Sequence, residues 1–311
     1  MICPRGFLGF LFATVLPLTG APPNELSIAT YNVANYNLTD RQIEGGFMTQ
    51  YPKPEIEKTA LRRVIGELDV DVLVLQEIGG ESFLRELQRD LRSEGLDYPH
   101  TTVLAAADDQ RRVGALSRIP FSKVGRHTDL DFKYFEGREF VKRGMLEMRF
   151  EVEAGELTVF VLHLKSRLTE RRDDPLAERR RGAEATAARD RILELFPDPG
   201  EHDFMILGDL NSGPRDRPVR AFSRRGNLEI AHLVPVSDSR GETWTHRYRR
   251  NDAYTRVDHV LVSERLLRSV RDGHGVISDQ PDVMRASDHR PVTVRLSWDP
   301  RTDGEGELTN R

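Results

Sequence analysis

Four runs in this chain are apolar at every position yet too short for buried helices: Val72-Leu73-Val74-Leu75, Val159-Phe160-Val161-Leu162, Phe204-Met205-Ile206-Leu207 and Val260-Leu261-Val262. A strand with apolar side chains on both faces must be covered on both, so these runs read as inner strands of a layered fold. Each adjoins a polar motif: Gln76-Glu77, His163-Leu164-Lys165, Gly208-Asp209-Leu210-Asn211 and Asp258-His259. Tyr31-Asn32 and Ser287-Asp288-His289 stand beside two further strand patterns. A strand end is where a rigid sheet delivers a side chain to a cleft, so six such ends can build one site.

The spacing predicts strands over 26–32, 70–76, 113–117, 145–152, 157–163, 203–207, 257–263 and 291–297. Helical spacing covers 55–68, 81–92 and 176–196, the last stopped by Pro197. Residues 33–54 read as a long polar loop, and a Lys/Arg-rich loop separates the strands at 117 and 145. Strands and helices mix without a regular βαβ beat, and there is no Gly-rich nucleotide fingerprint, internal repeat or Pro/Ser linker inside 26–298. The expectation is one α/β domain over 22–298, two sheets packed face to face with helices outside, and a polar tail over 299–311.

The net charge is −4, from 46 basic and 50 acidic residues, which excludes a strongly basic nucleic-acid coat. Cys3 is the one cysteine, so no intrachain disulfide forms. Arg5, the apolar stretch Phe7 to Leu18 and the small residues Thr19-Gly20-Ala21 read as a signal peptide over 1–21. A bilayer-spanning helix needs ~20 apolar residues, more than this stretch offers. The chain is expected to be secreted or periplasmic, with no stable membrane insertion once the signal is removed.

The polar motifs supply oxygen and imidazole donors. Glu77 closes an apolar strand, where a divalent cation would offset the cost of its charge; hard oxygen ligands suit Mg²⁺, with Mn²⁺ as a substitute. Asp209 and Asn211 stand two apart and share a face in an extended segment, one acceptor beside one amide, able to hold a water. Asp288 and His289 are neighbours and face opposite ways. Asp288 is therefore a candidate metal ligand, and Asp258 a candidate partner that orients His289. His163 and Lys165 share a face and could both donate to a phosphate oxygen. Asn32 could fix a ligand or the metal shell.

The order Asn, QE, HxK, GDxN, RxDHxxxS and SDHRP over residues 26–297 resembles the endonuclease/exonuclease/phosphatase superfamily of Mg²⁺-dependent phosphoesterases. The resemblance implies a four-layer α/β sandwich. By motif it implies Glu77 as main metal ligand, supported by Asn32 and Asp288. It implies Asp209 as the residue that activates water, Asn211 as a phosphate holder, and His289 as a phosphate contact oriented by Asp258. It implies His163 as a donor to the phosphate or leaving group, and it places Arg118 in a familiar family segment. Members that repair abasic sites often carry an acid two residues beyond the first Asn, where this chain has Ala34, which argues against a repair enzyme.

Basic residues cluster locally. Residues 110–126 hold five Lys/Arg and no acid, 215–225 five Arg and one Asp, and 247–256 four Arg and one Asp. Loops of this kind suit a nucleic-acid backbone, and Trp244, Tyr248 and Tyr254 suit base stacking. The expected function is a monomeric, secreted nuclease with nucleic acid as substrate. The alternatives are a phosphomonoesterase or lipid phosphodiesterase of the same fold, and a non-catalytic binding module.

Overall fold

The computed structural model describes residues 22–298; the segments read as signal peptide and tail, 1–21 and 299–311, lie outside the described residues. Thirteen strands form two sheets. They are β1 (Glu25–Tyr36), β2 (Val72–Ile78), β3 (His100–Val103), β4 (Arg112–Ser117), β5 (Lys123–His127), β6 (Met145–Val152) and β7 (Gly155–His163). The remainder are β8 (Asp203–Asp209), β9 (His232–Leu233), β10 (Val236–Ser237), β11 (Asp258–Val262), β12 (Gly275–Ile277) and β13 (Val292–Ser297). The seven-stranded sheet runs β10-β12-β13-β1-β2-β4-β3, and the six-stranded sheet runs β9-β11-β8-β7-β6-β5.

The period-two rule assigns the faces. Leu26 and Ile28 of β1, Val72 and Val74 of β2, and Val292, Val294 and Leu296 of β13 meet Leu146, Val159, Val161, Met205, Leu207, Val260 and Val262 from the other sheet in one core. The alternate residues point outward. Ala29, Tyr31, Leu73 and Leu75 pack under α1 (Glu55–Leu68) and α2 (Glu81–Ser93). Phe160, Leu162, Phe204 and Ile206 pack under α3 (Glu178–Leu195) and α4 (Arg217–Ser223). This is the expected four-layer sandwich, and both strand faces are apolar because both are covered. No helix among the described residues is long and apolar enough to cross a membrane.

Three segments differ from the expectation. Residues 33–54 contain a hairpin, Thr39–Ile43 with Gly46–Tyr51. The basic stretch before residue 145 contains β5 and a second hairpin, Asp131–Tyr134 with Gly137–Phe140. The Thr39–Tyr51 hairpin is largely solvated on both faces, so no apolar alternation betrays it. Much of 215–225 is helix α4 rather than a loop, opened by Pro218 near its N-terminus.

Candidate active site

The inner-facing positions of five strands run from apolar to polar at one end of the sandwich. On β1 the series is Leu26, Ile28, Thr30, Asn32, and on β2 it is Val72, Val74, Gln76. On β7 it is Leu157, Val159, Val161, His163; on β8 Met205, Leu207, Asp209; on β11, read backwards, Val262, Val260, Asp258. The site is the polar mouth of the inter-sheet core. Register makes it so: His163 pairs with Asp209 across β7 and β8, and Asp209 with Asp258 across β8 and β11.

Asp209 is the centre. Its Oδ2 accepts from Asn32 Nδ2 at 3.0 Å, a bond between the two sheets, and from Asn211 Nδ2 at 3.3 Å. His163 Nε2 stands 3.4 Å from the same oxygen and His289 Nε2 3.9 Å. Oδ1 accepts from the Asn211 backbone N–H at 2.8 Å. Burial pushes the Asp209 carboxyl up to about 6, against the opposing charge of His289.

His289 Nδ1 contacts Asp258 Oδ2 at 2.8 Å. Burial alone would lower the imidazole's pKa, but the charges of Asp258, Asp209 and Asp288 hold it well above the ordinary histidine value, so it is cationic at neutral pH. His163 is the opposite case. Burial, with the charges of Arg143 and His289 nearby, drives it well below the usual range and keeps it neutral. The two imidazoles flanking Asp209 therefore differ in charge. His259, next to Asp258, faces away and contacts the Ser212 carbonyl at 2.7 Å.

Glu77 reaches the site by breaking the pleat. Period two would turn it outward with Leu73 and Leu75. Instead it has φ +62° and sits where the β2–β4 register shifts. Its Oε2 accepts from the Asn35 N–H at 3.0 Å, and its Oε1 faces His163 Nε2 at 3.9 Å. Ala34 (φ +48°), Asn35 (φ +54°) and Asn211 (φ +50°) are left-handed as well. Non-glycine residues held there cost roughly 1–3 kcal/mol each, and such strain concentrates at functional sites. Gly208, with φ +137°, precedes Asp209; a Cβ there would lie 1.9 Å from the Leu162 carbonyl oxygen, so only glycine lets β7 and β8 close.

The donor set fits a hard divalent cation. Among the described residues the one ion-pair contact of Glu77 is the neutral His163, and Arg41 acts on it only from beyond ion-pair distance, so no cation pairs directly with this partly buried carboxylate. Asp288 stands beside His246 and His289; burial would raise its carboxyl, but His246, 3.8 Å away, and the charge of His289 hold it well below the usual carboxylate range. Acid and imidazole atoms of Asp209, Asp258 and His289 also lie close enough to share an ion.

Two predicted residues make no hydrogen bond or ion pair with this group. Arg118 follows Ser117, which pairs with Val72 at the start of β2, whereas Glu77 lies at its end, roughly 17 Å away at 3.3 Å per residue. Its guanidinium pairs with Asp69 and lies over Tyr98. Lys165 lies beyond the end of β7, where strand alternation no longer applies. Its Nζ donates to Ser166 Oγ and the Leu168 carbonyl. Conversely, four residues went unread in the sequence. His246 packs against His289, with ring centroids 4.5 Å apart and the rings tilted by 40°. Arg143 donates to the Leu164 carbonyl and holds Asp108. Lys53 and Arg41 grip the carbonyls of Ala34 and Asn35. No motif marks any of them; each acts through contacts distant in sequence or through backbone.

The fold recurs in known proteins. The family model described as "Endonuclease/Exonuclease/phosphatase family" matches residues 29–289. No curated protein sequence matches the chain. Among solved structures, a Staphylococcus aureus beta toxin variant with bound magnesium ions has a TM-score of 0.60 at 14% identity, over 88% of this chain and 99% of that one. TDP2 of D. rerio, humanised by 14 mutations, gives 0.58 at 16% identity, over 88% and 99%. Sphingomyelinase C from Streptomyces griseocarneus gives 0.58 at 15% identity, over 88% and 99%. At these identities the likeness is one of fold. The match over 29–289 spans every strand end that contributes to the Asp209 cluster, and this chain belongs to the endonuclease/exonuclease/phosphatase family.

Proposed function

We propose that this chain is a Mg²⁺-dependent phosphodiesterase, a nuclease exported through its N-terminal segment, that cleaves by attack of water at phosphorus. The observation that carries the reading is the environment of Asp209: a buried carboxylate of pKa about 6, with a cationic His289 on one side and a neutral His163 on another. A base poised near neutral pH beside a fixed positive charge is what water activation at a phosphate requires.

Asp209 takes the proton from the attacking water as the new P–O bond forms and the ester P–O bond breaks. Asn211, whose amide donates to the Leu164 carbonyl at 3.0 Å and to Asp209 at 3.3 Å, exchanges the longer of these bonds for one to a phosphoryl oxygen. His289 neutralises charge on that group, and Asp258 keeps its ring in place. The neutral His163 donates a hydrogen bond to the phosphate or leaving oxygen, and the leaving oxygen takes its proton from water as it departs. Glu77, Asn32 and Asp288 would hold the magnesium ion. When bound, the ion draws charge from the phosphoryl oxygens.

Nucleic acid is favoured by the hairpin His246–Tyr248 with Ala253–Thr255. It is tied to the site by Arg247 N–H donating to the Asp288 carbonyl at 2.9 Å, and it exposes Tyr248 and Tyr254 beside Arg249 and Arg250. Bases stack on such rings and phosphates pair with such guanidinia.

The experiment is a substrate panel of plasmid DNA, RNA, inositol phosphates and sphingomyelin vesicles, with Mg²⁺, with Mn²⁺ and with chelator. Turnover of nucleic acid that stops with chelator and returns with either ion is expected. Cleavage of inositol phosphate or sphingomyelin alone overturns the nuclease assignment in favour of the lipid or monoester alternatives. Chelator-resistant turnover overturns the metal. Mass analysis of protein recovered from culture medium tests export, with cleavage near residue 21 as the expected product. Sedimentation tests the expected monomer.

A further inference from the structure

We propose that His246, Asp288 and His289 form a zinc-type cation site, and that an ion there shuts the catalytic centre. One ring nitrogen of each histidine and a carboxylate oxygen of Asp288 lie within 4.8 Å of one another. His246 Nε2 is 3.8 Å from Asp288 Oδ2. Two imidazoles and one carboxylate are a borderline-soft donor set, suited to Zn²⁺ or Co²⁺ rather than Mg²⁺.

The site is built. A metal-ligating histidine has its second nitrogen held by an outer partner that fixes the ring. His289 Nδ1 is held by Asp258 Oδ2 at 2.8 Å, and His246 Nδ1 by Thr255 Oγ1 at 3.4 Å. Each ring therefore turns its Nε2 away from that partner; on the cationic His289 this nitrogen carries a proton, which an ion must displace on binding. The backbone carrying them is pinned by a bridge between His246 and His289, by Arg247 N–H to the Asp288 carbonyl at 2.9 Å, and by Arg290 N–H to the Thr245 carbonyl at 2.6 Å. Little reorganisation is needed for an ion to bind.

Occupancy withdraws His289 from the phosphate and Asp288 from the magnesium set. An ion here competes with the catalytic arrangement rather than adding to it. This regulatory part rests on the phosphoesterase reading above; the binding part does not.

The test uses the full chain saturated with Mg²⁺. Zn²⁺ binding is read by calorimetry, Co²⁺ by its visible absorption, and turnover is titrated with Zn²⁺ in parallel. The expected result is that His246→Gln weakens Zn²⁺ binding at least about 100-fold and Thr255→Val about 10- to 100-fold, with the wild type losing turnover as the ion binds. Far-ultraviolet circular dichroism shows whether each variant is folded, and Thr255→Val keeps all three ligands should His246→Gln fail to fold. Zn²⁺ binding as tight in both variants as in the wild type overturns the site. Binding lost instead in His232→Gln overturns it too, placing the ion at the surface group Glu229, His232 and Glu264. Zn²⁺ bound through His246 by a protein that hydrolyses no phosphoester sustains the site and removes the phosphoesterase reading. Turnover indifferent to bound Zn²⁺ removes only the inhibition.

Discussion

His289 Nδ1 lies 2.8 Å from Asp258 Oδ2, with both residues buried, Asp258 opening β11 and His289 in the segment that leads into β13. The pair joins the start of β11 to the approach to β13 and holds a positive charge beside Asp209. An imidazolium in a dry site keeps its proton only while its carboxylate partner is ionised. Asp258→Asn is therefore expected to lower kcat/KM at least about 100-fold, as removal of a preorganised electrostatic donor does, with circular dichroism unchanged. Asp209→Ala and His289→Ala are expected to do the same. Turnover near the wild-type rate in any of the three would count against its role.

The same charges set a pH dependence. Asp209 must be ionised to accept a proton, and its carboxyl sits at about 6, so activity rises with pH through that region. His289 must stay protonated, and its raised pKa places the alkaline limb well above the ordinary histidine range. The expected profile of kcat/KM is a bell, and Asp258→Asn moves its alkaline limb to lower pH. A profile with no acid limb would remove Asp209 as the base.

Gly208→Ala tests the backbone beneath the site. The new Cβ would meet the Leu162 carbonyl oxygen at 1.9 Å, from a φ of +137°. Strain and overpacking together predict a loss of about 3 kcal/mol or more in urea unfolding. A change within about 0.5 kcal/mol, the range of a surface substitution, would show that β7 and β8 part easily.

Lys53→Met tests whether the left-handed turn at Ala34-Asn35 presents Glu77. The buried Lys53 Nζ donates to the Ala34 carbonyl at 3.2 Å and pairs with Glu57 at 3.1 Å. Arg41 holds the Asn35 carbonyl at 2.6 Å, and the Asn35 N–H in turn fixes Glu77. Loosening such an outer contact typically costs 10- to 100-fold in metal affinity, so the Mg²⁺ concentration for half-maximal activity is expected to rise by about that factor. A fall in kcat at unchanged Mg²⁺ requirement would contradict a positioning role.

Most of the layered fold was legible because covered strands leave an unmistakable trace. Val72 to Leu75 and Phe204 to Leu207 have no polar face, so only an interior position suits them. The Thr39–Tyr51 hairpin was not legible, since two largely solvated faces leave no periodic signal. Asp209, His163 and Asp258 could be singled out because each ends or begins a readable strand; Asn211 stands beyond β8 in a left-handed turn rather than on the extended segment expected, and reaches Asp209 through that turn. His246 and Lys53 were missed because each matters only through a neighbour remote in sequence, His289 for one and the Ala34 carbonyl for the other.

Sequence alone determined the layers, the strand ends and the kinds of side chain delivered there, because burial and period two are local properties of a strand. The tertiary structure decided which of those ends meet. It excluded Arg118, which an antiparallel neighbour carries to the far end of the sheet, and admitted Glu77, which period two would have turned outward. A left-handed bulge reverses that side chain, and such a backbone state is stable only when the surrounding packing and hydrogen bonds impose it.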